Sequence, residues 1–251
     1  MKLSLFIYSI LIAGLISCAS EKPTGKTEAE VLYKEAKELM SDERFILATE
    51  KLNQLKNKYP YSFYATPAEL LQADILYLQE SYTEAAAAYL LFRDFHPKHD
   101  EIPYVVYKIA ESYFNQIPDT FDRDLQGAVE SIKYYRELLD KYSTSQYSKD
   151  ASEKISKCKE MLLNKEKYIA DFYFKTEVFQ AARWRYLDML NHFEDKELRN
   201  HSMIRVVESS LKMKEYENCI SYVDKYFQLL PDEGKKKATE LKTKCTEEIT
   251  Q

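Results

Sequence analysis

Glycine is scarce in this chain, with four residues in 251. So few leave little room for glycine-turned β-hairpins or for phosphate-cradling loops. Histidine is as sparse, also at four, and neither it nor the four cysteines stand at zinc-ligand spacing. His96 and His99 are three apart, but His96 sits directly before Pro97 where a helix should end, which is a packing position. No nucleophile motif or paired-carboxylate constellation is present. The reading is therefore a non-enzyme, with no catalytic residue, metal or cofactor expected. A surplus of one charge is missing too. The net charge is −5, with 36 basic and 41 acidic residues mixed along the chain, which argues against nucleic acid as a partner. Nor is there an apolar run long enough to span a bilayer, since the run from Leu3 to Leu15 is too short and too near the start.

What the chain does have is one pattern, five times. A small residue begins a helix, which ends about twelve positions later in an aromatic residue, His or Leu, followed by a turn residue. The small residues are Ala48, Ala85, Ser131, Ala182 and Cys219, spaced 37 to 51 apart. About twelve residues before each lies another compact residue: Ala36, Ala73, Ala110 (across an insertion), Ala170 and Val207. Two helices cross closely only where both lack bulk. Larger residues follow each second small position by four and seven, on one helical stripe: Leu52 and Leu55, Tyr89 and Phe92, Tyr135 and Leu138, Tyr186 and Met189, Val223 and Tyr226. Prolines 60, 97 and 231 stop the second helices. A period near 34 residues with loop insertions marks a tetratricopeptide (TPR) array. The fold expected is all-α: a TPR helical-hairpin solenoid of five repeats with a C-terminal capping helix. Such arrays hold other polypeptides.

The N-terminus sets the expected compartment. Lys2 and the apolar run lead into Leu15-Ile16-Ser17-Cys18, which resembles the lipobox of bacterial lipoproteins. That resemblance implies a signal peptide over 1–17 and lipidation of Cys18. Ala19 after the cysteine favours the outer membrane. Residues 18–27 are read as a lipidated tether. Thr27-Glu28-Ala29-Glu30 reads as a capping box that starts the first helix. An N-terminal half spans 28–147 with repeats one to three. A C-terminal half spans 148–251, with repeats four and five and a thin-striped last helix from Asp232. A long helix from about Tyr147 to Phe174 should join them stiffly. Antiparallel packing of the last two helices would bring Cys219 level with Cys245, which permits a bridge. The expectation here is nonetheless two buried free thiols, because disulfide geometry is demanding.

Registered on the small residues, the first helices of the first three repeats aim Tyr33, Tyr77, Tyr104, Tyr107 and Phe114 into the concave side. The last two repeats aim Lys167, Asp171, Phe174, His201 and Glu208 there. An aromatic groove suits an extended peptide with aromatic side chains. Some of these tyrosines should also pack against neighbouring helices.

Several local strings resemble the BamD family of outer-membrane protein assembly lipoproteins. They are Tyr59-Pro60-Tyr61-Ser62-Phe63-Tyr64-Ala65, His96-Pro97-Lys98-His99 with Tyr104 and Tyr107, Asp122-Arg123-Asp124, Ser145 to Ala151, and Ala181-Ala182 with Arg185 and Phe193. Ser143 and Glu194 stand where the family has prolines, and Ile109-Ala110-Glu111 replaces its glycine-bearing segment. The resemblance implies a non-enzymatic, periplasm-facing scaffold of the barrel-assembly machinery. It implies binding to the POTRA domain of a BamA-like barrel protein and to the C-terminal strands of unfolded outer-membrane β-barrel proteins, with other Bam lipoproteins as further partners. Carried onto this chain, Tyr59, Tyr64, Tyr104 and Tyr107 become substrate-contact candidates and Arg185 the BamA-contact candidate. Arg123 and Asp124 are expected to tie down the third-repeat loop. The alternative is a different periplasmic TPR adaptor for cell-envelope complexes.

Overall fold

The computed structural model describes residues 25–250. Cys18, the apolar run before it and most of the expected tether lie outside the described residues. Among those described, no strand occurs and eleven α-helices follow one another. The chain forms two compact units, the first ending at His96 and the second beginning at Pro97.

The first unit holds two hairpins, α1 (Glu28–Ser41) with α2 (Phe45–Lys58) and α3 (Ala65–Leu78) with α4 (Tyr82–Phe95). Thr27 caps α1, its hydroxyl accepting from the Glu30 amide at 3.2 Å. Glu30 reaches back, but to the Lys26 amide at 2.9 Å, one residue before the cap. Each helix packs on the next, and α1 also meets α3, the neighbour-only logic of a solenoid. The α1–α3 core gathers Ala36, Ala48, Leu52, Leu55, Ala68 and Ile75, all at most 1% exposed.

The second unit holds α5 (Ile102–Phe114) with α6 (Gln126–Lys141), α7 (Ser148–Lys175) with α8 (Phe179–His192), and α9 (Lys196–Lys212) with α10 (Tyr216–Tyr226). A short 3-10 turn, Phe227–Leu229, leads to the last helix α11 (Asp232–Thr250). The fold is thus an all-α TPR array of five hairpins and a capping helix. All ten small register positions are at most 1% exposed. Helix α7 has 28 residues, about 42 Å at 1.5 Å per residue. It packs on α6 and on α8, both in this unit.

Four of the five hairpins turn in the same way. Two residues past the ends of α1, α3, α7 and α9 stands a left-handed residue, Glu43, Glu80, Glu177 and Lys214, with φ between 59° and 62°. The next amide reaches back five residues in each case, Arg44 to Leu39, Ser81 to Leu76, Val178 to Tyr173 and Glu215 to Ser210, at 2.8 to 3.0 Å. This is the Schellman closure, which satisfies helix-end carbonyls. The third hairpin replaces it with the loop around residues 115–124. There Lys165 Nζ donates to the Arg123 carbonyl at 2.7 Å and Asp124 accepts from the Gln126 amide at 3.2 Å. Gly127 is needed at this joint, because a Cβ would come within 2.8 Å of the Tyr113 carbonyl oxygen.

One expectation fails. Cys219 and Cys245 are not free thiols; they form a disulfide that ties α10 to α11, with Cα atoms 6.5 Å apart. Cys219 does fill the small-residue slot, and the antiparallel α10–α11 pairing carries Cys245 to its level. Cys158 remains a free, buried thiol whose pKa burial pushes up.

Candidate functional site

The expected groove tyrosines are all half-buried, and each leans on a neighbour. In the first unit the rings of Tyr33 on α1 and Tyr64 at the start of α3 lie 5.4 Å apart, and Phe63 meets Tyr64 edge-on at 5.5 Å. Burial, with Asp74 nearby, raises the Tyr33 phenol pKa. Tyr59, just after α2, donates its phenol hydrogen to Glu28 at the start of α1, and that bond raises the phenol pKa and lowers the carboxyl pKa. Tyr77 on α3 packs edge-on against Tyr82 across the hairpin turn at 5.4 Å. The structure therefore brings Tyr33 with Tyr64, fastens Tyr59 to α1, and places Tyr77 at the opposite end of α3.

In the second unit Tyr104 and Tyr107 on α5 converge on Tyr147, whose ring stacks on Tyr107 at 4.5 Å and lies 6.0 Å from Tyr104. Tyr107 also donates to Asp150 at 2.7 Å. Tyr104 lines a cleft of about 360 Å³ with Glu101, Tyr142, Gln146 and Tyr147. Phe114 packs against the Leu125–Cys158 core and Phe174 against the α8–α9 core under the Arg205 guanidinium, and both stay partly exposed. Asp171 is taken up by two partners, accepting from Tyr186 at 2.5 Å and pairing with His201 at 2.8 Å. His96 is structural: it pairs with Glu69 at 2.8 Å and packs on Phe92.

Arg185 on α8 pairs with Glu166 on α7 at 3.1 Å. Beside it Trp184 is 60% exposed, with the guanidinium 5.4 Å from its ring. Sequence reasoning missed Trp184. The signal was available: it is the chain's one tryptophan, two residues past buried Ala182, on the solvent side of α8. Exposed tryptophan beside arginine is a combination enriched where proteins bind one another. Among the described residues no three His, Cys, Asp or Glu side chains cluster as a metal site would require. No helix there is long and apolar enough to cross a membrane.

The profile of the YfiO family, described as outer membrane lipoprotein, matches residues 26–201. The chain belongs to that family. The outer membrane protein assembly factor BamD of Rickettsia prowazekii is 27% identical over 232 residues, covering 88% of this chain and 92% of its own. BamD of Neisseria gonorrhoeae is 26% identical over 231 residues, covering 86% and 83%. Among solved structures, the TPR2AB-domain:pHSP90 complex of yeast Sti1 matches at 14% identity and a TM-score of 0.44, covering 90% of this chain and 85% of that one. The helical hairpins themselves carry the fold assignment.

Proposed function

We propose that this YfiO-family protein is a non-enzymatic, lipid-anchored scaffold on the periplasmic side of the outer membrane, serving the assembly of β-barrel proteins. The observation that carries the reading is the family match from residue 26 to 201, which runs through both units and includes the groove tyrosines from Tyr33 to Tyr107 and Arg185. The relatives' name, outer membrane protein assembly factor, supports the process. Cys18 is the lipidated residue in this reading.

The half-buried tyrosines supply the substrate contact. Tyr33, Tyr59, Tyr64 and Tyr77 in the first unit, and Tyr104 and Tyr107 in the second, keep partly open aromatic surface while neighbouring rings and carboxylates hold them in place. Rigid aromatic anchors give binding energy at low entropic cost. They suit the C-terminal strand of an unfolded barrel protein, whose aromatic residues need stacking partners. Arg185, with Trp184, forms the contact to a POTRA domain of a BamA-like barrel protein. For that contact Arg185 would exchange Glu166, a half-exposed partner worth at most about 1 kcal/mol, for a carboxylate on the POTRA domain.

Two variants test the parts separately. Tyr64→Ala with Tyr104→Ala should weaken photocrosslinking to a last-strand peptide, and unchanged crosslinking removes the peptide-contact claim. Arg185→Glu should lose co-purification of the barrel catalyst from detergent-extracted membranes. Full recovery at moderate salt counts against that contact.

A further inference from the structure

We infer that the turn between α2 and α3 dips into the lipid headgroup region, with Tyr61 and Phe63 as its interfacial side chains. The inference rests on the lipid-anchor reading at Cys18. Tyr61 is 100% and Phe63 84% exposed, although both are large aromatic residues. The turn beneath them is closed by its own backbone bonds, Ser62 to Tyr59 at 3.0 Å and Ala65 to Ser62 at 3.1 Å. Tyr59 is fastened to Glu28 and Tyr64 leans on Tyr33, so Tyr61 and Phe63 are presented from a fixed base.

The neighbourhood says what covers them. Helix α1 starts at this same end, because Glu28 is bonded to both Lys58 and Tyr59. From Cys18 to that helix start there are nine tether residues, which reach roughly 30 Å at most. A lipid anchor therefore keeps this turn close to the bilayer at high effective concentration. Phe95, at the C-terminal end of α4, belongs to the same end, since His96 next to it pairs with Glu69 in the first turns of α3. It is 71% exposed. The acids here already hold lysines, Glu28 with Lys58 and Glu69 with Lys56. Little uncompensated negative charge would face the headgroups. Aromatic residues with lysines around them are the composition of interfacial anchors.

The acyl chains supply the attachment, so the rings need only fix orientation. They hold the first unit end-on to the membrane instead of letting it swing on its tether.

The test uses the full lipidated protein reconstituted into phosphatidylethanolamine–phosphatidylglycerol vesicles. Phe63→Trp places a fluorescent reporter in the turn, and Gln79→Trp places one at the far end of α3, about 20 Å away at 1.5 Å per residue. The unaltered chain, with Trp184 alone, gives the background. Lipids brominated on the acyl chains should quench the turn reporter at least twofold and leave the far-end reporter unchanged. Equal quenching of the two reporters overturns the inference. Mass analysis of the N-terminal peptide separates the two readings. If Cys18 carries no lipid, the anchor reading fails, and quenching of the Phe63→Trp variant by added vesicles still decides the turn's contact in the same way.

Discussion

Tyr186 donates its phenol hydrogen to Asp171 at 2.5 Å across the hairpin of α7 and α8. The arrangement is one of three. Tyr89 donates to Asp74 at 2.6 Å, and Tyr135 donates to Glu111. In each case the acid directly follows the small residue of the first helix, and the tyrosine stands four past the small residue of the second. All three tyrosines are fully buried. Each hydroxyl therefore needs a partner inside the protein. The first and last repeats put Leu52 and Val223 at the tyrosine position. In the last repeat the acid, Glu208, turns instead to Arg205 and Lys237.

Removing one of these hydroxyls should cost stability without disturbing packing. Tyr186→Phe deletes a hydrogen bond to a charged group, an interaction worth about 1.5 to 3 kcal/mol. Asp171 keeps His201, which places the expected loss at the lower end. Tyr135→Phe should cost more, because Glu111 is itself buried, even though Lys154 remains beside it. Urea unfolding followed by circular dichroism measures both. Losses below about 0.5 kcal/mol for both variants would show that the pairs are incidental to stability.

The Asp171 site also predicts an acid limb. Burial pushes its carboxyl pKa up, but the bonds from His201 and Tyr186 outweigh burial and hold it below its ordinary value. A depressed folded pKa means the charged form is favoured by folding. The stabilisation is whole above the unfolded value near pH 4 and drains as pH falls through the lower folded value. The gap in thermal midpoint between the native chain and Asp171→Asn should hold steady above about pH 5 and close below about pH 4. A gap that widens in acid would contradict the sign.

The register was legible because small residues at helix crossings leave a periodic mark that no neighbour can substitute. Ala36, Ala73, Ala170 and their partners were placed from spacing alone, and they are buried. The acid–tyrosine pairs left no such mark. An acid next to a small residue sits near the edge of the helix contact, so spacing leaves open whether it faces solvent, groove or partner helix. The candidate site was legible in part for a similar reason. Register put Tyr104 and Tyr107 on one face of α5, but their convergence on Tyr147 depends on how α7 begins, which spacing does not fix. Trp184 escaped the register altogether, because it faces outward and an outward side chain carries no periodic signal.

The left-handed turn residues offer a gain in stability. A non-glycine residue in this conformation costs about 1 kcal/mol, and Glu43, Glu80, Glu177 and Lys214 each bear it. Glu80→Gly should raise the thermal midpoint, with a net gain of about 0.5 kcal/mol after glycine's greater entropy in the unfolded chain. Glu80→Val should lower it, since a β-branched side chain tolerates this region least. The two variants moving in the same direction would show that the turn is set by something other than backbone conformation.

The disulfide between Cys219 and Cys245 should matter most to the last two helices. It closes a loop with a sequence separation of 26, and loop-closure entropy assigns such a cross-link about 3.5 kcal/mol. The apolar stripe of α11 is thin, with Ala238, Leu241 and Cys245 as its buried residues, so packing offers little to replace the bridge. Reduction should therefore speed amide exchange in α10 and α11 while leaving α1 to α4 at their oxidised rates. The contrast is the informative part. The first unit shares none of the α10–α11 core, so a reductant that loosened both units equally would be acting on something other than this bond. Unchanged exchange in α11 after complete reduction, checked by thiol titration, would show that packing alone holds the cap in place.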